Sequence, residues 1–141
     1  MKISARLDYS CRAIVELSLN WPNETPVQVS QIAKKQGIPI KFLIHILISL
    51  KQFGIVKSIR GKSGGYILAK SPEEIKLSDL VSHFGEGFSA QEAPLPRNRK
   101  NLMTPVWEEV DRAILYAMKD INFESICNQI RVQEKVPTFV I

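Results

Sequence analysis

The residues with the clearest chemical potential lie together near the middle of the chain, in segment 60–65, which reads Arg-Gly-Lys-Ser-Gly-Gly. Gly61-Lys62-Ser63 matches the end of a phosphate-binding P-loop, and basic residues beside glycines are also typical of loops that contact nucleic acid. The P-loop pattern G-x-x-x-x-G-K-[ST] places its first glycine at position 56, where this chain has Val56, and it requires a following helix. Tyr66-Ile67-Leu68 is typical of a strand, so we reject the nucleotide-binding interpretation.

The segments around this loop predict the elements that position it. Residues 55–59 and 66–69 are rich in β-branched and aromatic residues, which predicts a hairpin. Before them, apolar spacing predicts one helix from Ser30 to Gln36 and another from Pro39 to about Phe53, separated by Gly37, which tolerates the positive φ of a sharp turn. This is the spacing of a DNA-binding helix-turn-helix, and the hairpin after it is then a wing. The alternative is a generic helical hairpin inside another fold.

The shared core of the two helices follows from their apolar positions. Ile32, Ile38, Leu43 and Ile46 fall where the helices must pack against each other. Ala33 is small where the helices cross closely. The predicted fold class is therefore mainly α with a small β-wing.

This organisation predicts three regions. A winged helix-turn-helix DNA-binding domain covers 1–84, a loop covers 85–103, and a dimerisation helix with a C-terminal helix or tail covers 104–141. Thr104-Pro105 is a helix start, with the threonine hydroxyl as the expected N-cap, and Asn122 is expected to cap a last short helix. One apolar stripe predicts the long helix between them: Val106, Val110, Ala113, Ile114, Ala117 and Ile121.

Charge is unevenly distributed along the chain. Residues 1–70 hold 11 Lys and Arg against 3 Asp and Glu, a net of +8, whereas residues 71–141 hold 8 against 11, a net of −3. The basic half favours a polyanionic partner, and nucleic acid is favoured over a membrane because the lysines are not clustered on one amphipathic terminal helix. No apolar run approaches the roughly 18–20 residues of a membrane span, so no membrane partner is expected. Two distant cysteines, Cys11 and Cys127, favour a reducing cytoplasm.

The wing and several further segments carry one recognisable set of motifs. The wing reads R-G-x-x-G-G-[YF]-x-L at residues 60–68. The other matching segments are 1–4, 32–38, 42–43, 46–47, Leu50, 54–58, 74–81 and 106–110. On these motifs the chain resembles the Rrf-two family of winged helix-turn-helix bacterial transcription regulators, which includes IscR, NsrR and CymR. The resemblance implies a homodimeric, cytoplasmic regulator, acting as a repressor, whose two copies read the halves of a roughly palindromic operator in double-stranded DNA.

Positions on the predicted recognition helix and wing indicate which residues contact DNA, although Ile44 and His45 stand where family members usually carry polar residues. Lys41 would contact a phosphate or a guanine edge, His45 a base edge or phosphate, and Ile44 thymine methyls, the alternatives being a solvated lysine and a histidine without a special role. Arg60 and Lys62 would hold the DNA backbone or minor groove, and the wing glycines would let them come close. The expected DNA-binding residues are Ser30, Pro39, Lys41, Ile44, His45, Arg60, Gly61, Lys62, Gly64 and Gly65.

The long helix is expected to cross the corresponding helix of the second subunit. The alternative for its apolar stripe is burial against the winged domain of the same chain. The expected dimer interface is formed by Val106, Val110, Ile114, Ala117 and Ile121.

Many members of that family hold an iron–sulfur cluster on three cysteines in the loop before the long helix. Here the loop at 85–103 contains no cysteine and no histidine, so we expect no cluster, no metal and no other cofactor. Asp8, a ligand position in some relatives, is then expected to be a surface carboxylate, and Cys11 a small core residue. His83 is a single histidine, which does not make a metal site.

Two further classes of function were weighed against a DNA-binding regulator. The outward isoleucines of the second predicted helix, Ile40, Ile44 and Ile48, suit a protein-interaction module that docks an enzyme or another regulator, with weak or indirect DNA binding. An enzyme is not expected, because the sequence has no paired acid and base, no nucleophile motif and no metal-ligand spacing. A protein or small-molecule effector is left open as a further partner.

Overall fold

The computed structural model describes residues 2–135 and folds them into six α-helices and one two-stranded sheet. The helices are α1 (Ala5–Asn20), α2 (Val29–Gln36), α3 (Ile40–Gln52), α4 (Leu77–Phe84), α5 (Thr104–Ala117) and α6 (Phe123–Lys135), and the strands are β1 (Val56–Ile59) and β2 (Gly65–Leu68). The predicted fold class, mainly α with a small β-wing, is confirmed. None of these helices is long and apolar enough to cross a membrane. Met1 and residues 136–141, the end of the expected C-terminal region, lie outside the described residues.

Short polar side chains define where the helices begin. Ser4 Oγ accepts a 3.1 Å hydrogen bond from the first turn of α1, and Asn122 Oδ1 accepts one of 2.8 Å from the Ser125 N–H at the start of α6, as predicted. The predicted cap of α5 is wrong by one position. Thr104 lies inside the first turn, and its hydroxyl donates to Glu92 Oε2 at 2.7 Å instead of capping the helix.

Helix α1 lies at the centre of the fold and packs against α2, α3, α4 and α6. Its Ala13 and Ile14 are completely buried. The other elements surround it with apolar side chains, namely Ile32, Ile38, Leu43, Ile46, Leu47, Leu50, Ile55, Val56, Leu68, Ile75, Leu80, Val81, Phe84 and Phe123. Because Phe123 belongs to α6, the C-terminal helix shares one core with the helix-turn-helix and the wing.

The helix predicted to run through Ile121 ends earlier, at Ala117. The Ile121 carbonyl accepts a 2.9 Å hydrogen bond from the Leu77 N–H, and the Phe123 N–H donates to the Ile75 carbonyl at 3.0 Å. These pairings tie the start of α6 to the segment before α4. Ile121 therefore lies in the turn after α5, so the prediction that the helix runs through Ile121 is wrong.

Candidate nucleic-acid interface

The sharp turn between α2 and α3 is built around Gly37, which adopts the left-handed conformation with φ +63°. The next amide, of Ile38, donates a 3.0 Å hydrogen bond to the Ala33 carbonyl and closes the end of α2. The four side chains predicted to form the shared core are all buried: Ile32, Ile38, Leu43 and Ile46. The two helices are thus held together by the residues that the sequence indicated.

Helix α1 braces this turn from behind. Arg12 Nη1 donates a 2.7 Å hydrogen bond to the Gln36 carbonyl at the C-terminus of α2, and the same guanidinium pairs with Asp8 at 2.6 Å. Gln36 Nε2 in turn donates to the Glu16 carboxylate. Asp8, expected to be a surface carboxylate, is about half exposed and orients Arg12. Its i,i+4 spacing to Arg12 was visible in the sequence, whereas the contact with Gln36 was not.

The outward face of α3 is exposed and largely apolar. Ile40, Ile44 and Ile48 are 48%, 43% and 44% exposed. The contact residues predicted on and before this helix are all exposed: Pro39, Lys41, Ile44 and His45. The structure therefore presents them together on the side of α3 that faces away from the core.

Sequence reasoning missed two residues beside this face. Phe42 is 58% exposed, and its ring centroid lies 6.3 Å from that of Tyr9 in an edge-to-face arrangement. Arg6, in the first turns of α1, is exposed and adds a cation next to α3. Together they line a groove of about 420 Å³, whose walls are Arg6, Phe42, His45, Ile46, Ile48 and Ser49.

The segment that contains the helix-turn-helix and the wing carries positive charge only. Residues 25–72 contain eight Lys and Arg and no Asp or Glu. Seven of these cations are exposed: Lys34, Lys35, Lys41, Lys51, Lys57, Arg60 and Lys62. Ser30, another predicted contact, is exposed in the first turn of α2. A polyanion could approach this side without meeting a carboxylate from that segment.

The wing is an antiparallel hairpin in which Val56 pairs with Leu68 and Ile59 with Gly65. A strand follows the loop where a P-loop would require a helix, in agreement with the rejection of the nucleotide-binding interpretation. Arg60, Gly61 and Lys62 lie exposed at the tip. Gly61 has φ +117°, a conformation that side-chain-bearing residues rarely adopt.

The other two wing glycines are explained by contacts inside the protein. A Cβ on Gly64 would collide with the Ile59 carbonyl oxygen, and a Cβ on Gly65 would collide with the Val27 carbonyl. The Val27 backbone pairs with Tyr66 through two hydrogen bonds of 2.9 Å, which form an isolated β-bridge to β2 of the wing. The absence of a side chain at these positions is therefore already required by the fold of the wing.

Most of the predicted dimer stripe lies on an accessible face of α5. Its exposed or half-buried members are Val106, Val110, Ile114 and Ala117. Ile121, 37% exposed, lies in the turn after the helix. A different face of the C-terminal half of α5, made by Leu115 together with Met118 just beyond the helix, packs against the core of the chain. Leu115 and Met118 therefore pack within the chain, whereas Val110 and Ile114 of the stripe are half-buried in it.

The loop at 85–103 is attached to α5 through a carboxylate. Asp111 accepts hydrogen bonds from the Phe88 N–H at 2.7 Å, from the Ser89 N–H at 3.2 Å and from Ser89 Oγ at 3.1 Å. These bonds, that from Phe88 above all, lower the pKa of Asp111 below its ordinary value of 3.8. The ring of Phe88 also lies 6.1 Å from that of Trp107, nearly parallel to it. We call this set of contacts the Asp111 latch.

A second carboxylate closes the far end of the same loop. Glu92 Oε2 accepts hydrogen bonds of 2.7 Å from Asn101 Nδ2 and from Thr104 Oγ1. Hydrogen bonds to a carboxylate therefore hold the loop at each of its two ends.

A helix-turn-helix with an exposed second helix, followed by a wing with a basic tip, defines a winged helix-turn-helix protein. Comparison with known proteins gives the family. The model of the Rrf2 family, described as iron-dependent transcriptional regulators, matches residues 3–129. The chain belongs to this Rrf2 family, the Rrf-two family whose motifs the sequence carries.

Individual relatives agree with this assignment. A Rhodobacter capsulatus protein named as an rrf2-like HTH-type transcriptional regulator is 38% identical over 96 residues, which are 67% of this chain and 61% of that protein. The solved structure of T. potens IscR is 28% identical, covers 98% of this chain and 94% of its own, and superposes with a TM-score of 0.76. The structure of B. subtilis CymR, at 23% identity, covers 92% of this chain and 98% of its own with a TM-score of 0.71 and supports the fold.

The family description names iron, but the donor set of this chain does not fit an iron–sulfur cluster. Cluster ligands are thiolates. Burial, with the nearby charge of Asp8, raises the pKa of Cys11 to about 11, and burial also raises the pKa of Cys127. His83 is stacked on Phe53, with ring centroids 4.2 Å apart. Between residues 2 and 135, no three His, Cys, Asp or Glu side chains are grouped to hold a metal ion.

Proposed function

We propose that the protein is a sequence-specific DNA-binding transcription regulator that acts as a homodimer on a roughly palindromic operator, without an iron–sulfur cluster. One observation carries this proposal: α2, α3 and the wing expose seven cations within a segment, residues 25–72, that has no acidic residue. The rrf2-like relative is a transcriptional regulator by name, in agreement with this function. Such a protein acts where the chromosome is, in the cytoplasm.

The proposed DNA contacts divide into two kinds. Lys41, Arg60 and Lys62 would neutralise phosphates and supply most of the affinity, because release of counterions drives binding. Pro39, Ile44 and His45 would approach base edges in the major groove, where sequence is read. Ser30, at the N-terminus of α2, and the glycines Gly61, Gly64 and Gly65 would allow the backbone to lie close to the phosphates, in addition to the internal role of the last two.

The homodimer is inferred from α5. Its stripe of Val106, Val110, Ile114 and Ala117 leaves apolar side chains without full burial in the single chain. Ile121, next to the end of the helix, would extend the same seam. A second copy related by a two-fold axis would cover both stripes, since such an interface joins identical patches.

Repression is the proposed effect on transcription. A dimer bound across two half-sites, about one helical turn apart, covers enough promoter DNA to exclude RNA polymerase. In vitro transcription from a bound promoter measures this directly: the transcript should decrease with added protein. An increase would make the protein an activator instead.

The test of the DNA interface is the salt dependence of binding to genomic promoter fragments. The log of the binding constant should fall linearly with log salt, and Arg60→Ala with Lys62→Ala, which removes four cations from a dimer, should reduce this slope by about 3–4. The matched control, Arg97→Ala with Arg99→Ala, removes equal charge from the loop at 85–103 and should change the slope little. An unchanged slope in the wing variant would contradict the wing as a DNA contact.

The second candidate is a protein-interaction module, favoured by the apolar outward face of α3. If this were the function, genomic fragments would not be bound even at low salt. The isoleucine face would instead be covered by an enzyme or another regulator, which cross-linking followed by mass spectrometry would identify. Neither of these two experiments requires an effector, whether protein or small molecule.

A further inference from the structure

The outward face of α3 is more apolar than contact with phosphates requires. Ile40, Ile44 and Ile48 follow one another at four-residue intervals, so their side chains lie along one side of the helix. Each is between 43% and 48% exposed. Exposed apolar side chains in a row mark a binding surface. The question is which partner offers apolar groups to this face.

We propose that Ile40, Ile44 and Ile48 read the C5-methyl groups of thymines in the major groove, so that the protein selects half-sites rich in thymine. This inference rests on the proposed function and specifies the DNA it recognises. Thymine is the base that presents a methyl group there, and apolar side chains recognise it by contact.

The polar inventory of α3 supports the same reading. The helix contains no Arg and no Asn, and its residues of the other types that read guanine or adenine are Lys41, Lys51 and Gln52. Lys51 and Gln52 lie in the last turn, and Lys51 donates a 2.9 Å hydrogen bond to Ser58 Oγ in β1. In the N-terminal part of a recognition helix, which contacts base edges, the exposed polar side chains are therefore Lys41 and His45. Apolar contact by the isoleucines would supply much of the remaining discrimination between bases.

Charge distinguishes DNA from a protein as the occupant of this face. The isoleucines belong to segment 25–72, which exposes seven cations and has no acidic residue. A protein that docked an apolar patch here would need a matching acidic rim. The thymine-rich major groove supplies both requirements in one ligand, with methyl groups inside and phosphates on either side.

The test begins by selecting bound duplexes from a random-sequence DNA library with the full-length protein. Each thymine of the selected site is then replaced by deoxyuridine, which keeps every hydrogen-bonding group and removes the methyl. Each contacted thymine should cost about fourfold in Kd, which corresponds to about 0.8 kcal/mol for one buried methyl group. Deoxyuridine in the flanks, outside the selected site, should change Kd by less than twofold and serves as the control.

Variants assign the effect to the isoleucines. In Ile44→Ala or Ile48→Ala, the deoxyuridine penalty at the corresponding thymine should disappear, because the methyl no longer has a partner. Lys41→Ala should weaken the thymine and deoxyuridine duplexes by the same factor. Both isoleucines are exposed, so truncation should leave the thermal unfolding midpoint nearly unchanged.

The outcomes separate this inference from the function on which it rests. A selected site that is dominated by guanine contacts, or that binds equally well with deoxyuridine, overturns the thymine reading and leaves the DNA-binding regulator intact. Failure to select any duplex at low salt overturns the regulator itself. A deoxyuridine penalty that persists in both alanine variants also contradicts the assignment to α3.

Discussion

Two neighbouring glycines illustrate how single residues determine the wing. Gly64 and Gly65 lie against carbonyl oxygens of Ile59 and Val27, with no room for a Cβ. The sequence motif indicated a wing, and from it we expected glycines that admit DNA. The contact of Gly65 with Val27 could not be predicted, because it joins segments that are far apart in the chain. Among the three glycines of the wing loop, Gly61 is the one where an added Cβ would meet no other atom within 4 Å. It is exposed and has φ +117°.

Gly65→Ala is expected to destabilise the protein by about 1–3 kcal/mol, because the new methyl forces the wing away from the Val27 backbone. Urea unfolding followed by circular dichroism measures this loss. Ser63→Ala, an exposed change in the same loop, is the control and should lie within about 0.5 kcal/mol of the parent. A stability of Gly65→Ala equal to that of the control would show that the wing can move without cost.

The exposed Phe42 and the braced Arg12 show what local patterns leave open at the residue level. The apolar period of α3 correctly predicted that Leu43 and Ile46 are buried, because spacing alone determines which residues share a helix face. Spacing did not assign Phe42, which lies on the flank of that face. The hydrogen bond from Arg12 to Gln36 depends on how α1 crosses α2, a relation that the sequence does not state.

At the level of elements, the helix boundaries that are marked by capping or turn residues were predicted well, whereas the end of α5 was not. Gly37 marks the end of α2, and Asn122 caps the start of α6. Both signals involve only residues that are close together in the sequence. The end of α5 depends instead on hydrogen bonds from residues 75–77 to residues 121–123, more than forty positions later. The attachment of the loop to Asp111 is also non-local, with partners 22 and 23 residues apart.

The Asp111 latch gives a testable link between the loop and α5. Asp111→Asn replaces one accepting oxygen by an NH2 group, which cannot accept from the Ser89 N–H. The loop should open, and the Phe88 ring should leave Trp107. In a Trp21→Phe background, where Trp107 is the one remaining tryptophan of the sequence, its fluorescence should shift to the red. Asp111→Glu, which keeps the carboxylate, should shift it less.

The same latch predicts a pH dependence, whose sign follows from the lowered pKa of Asp111. A carboxyl with a depressed pKa in the folded state stabilises that state fully above its unfolded pKa. The contribution is lost as the pH falls through the folded value, which lies below 3.8. Trp107 fluorescence should therefore be constant near neutral pH and change only in strong acid. A change between pH 5 and 7 would point to a different titrating group.

At the scale of the whole molecule, the two proposed binding surfaces belong to different elements. DNA is proposed to bind α3 and the wing, and a second subunit is proposed to bind α5. The uneven charge of the two halves of the sequence predicts the same division, because net charge can be counted without knowledge of the fold. Val110→Glu should place a carboxylate in the proposed seam, convert the dimer to monomers and lower DNA affinity at least tenfold, since both half-sites would no longer be bound together. Sedimentation velocity and a DNA titration measure the two effects.

Val132→Glu is the matched control for this variant. Val132 is 62% exposed on α6, so an added carboxylate there should leave both the dimer and its DNA affinity unchanged. A monomeric parent protein would contradict the dimer proposal directly. Equal effects of the two variants would indicate that added negative charge, and not position, weakens DNA binding.

The middle of α5 and the turn after it are both attached to the preceding part of the chain. The Asp111 latch holds it to the loop after α4, and the pairing of Leu77 with Ile121 holds the turn that follows it. In a dimer joined through α5, the two recognition helices therefore face DNA at a fixed angle and separation. Each added base pair between the half-sites rotates one against the other by about 35°. A rigidly fastened dimer cannot follow that rotation, so its operators must keep one helical phase, which a genome search can use as a filter.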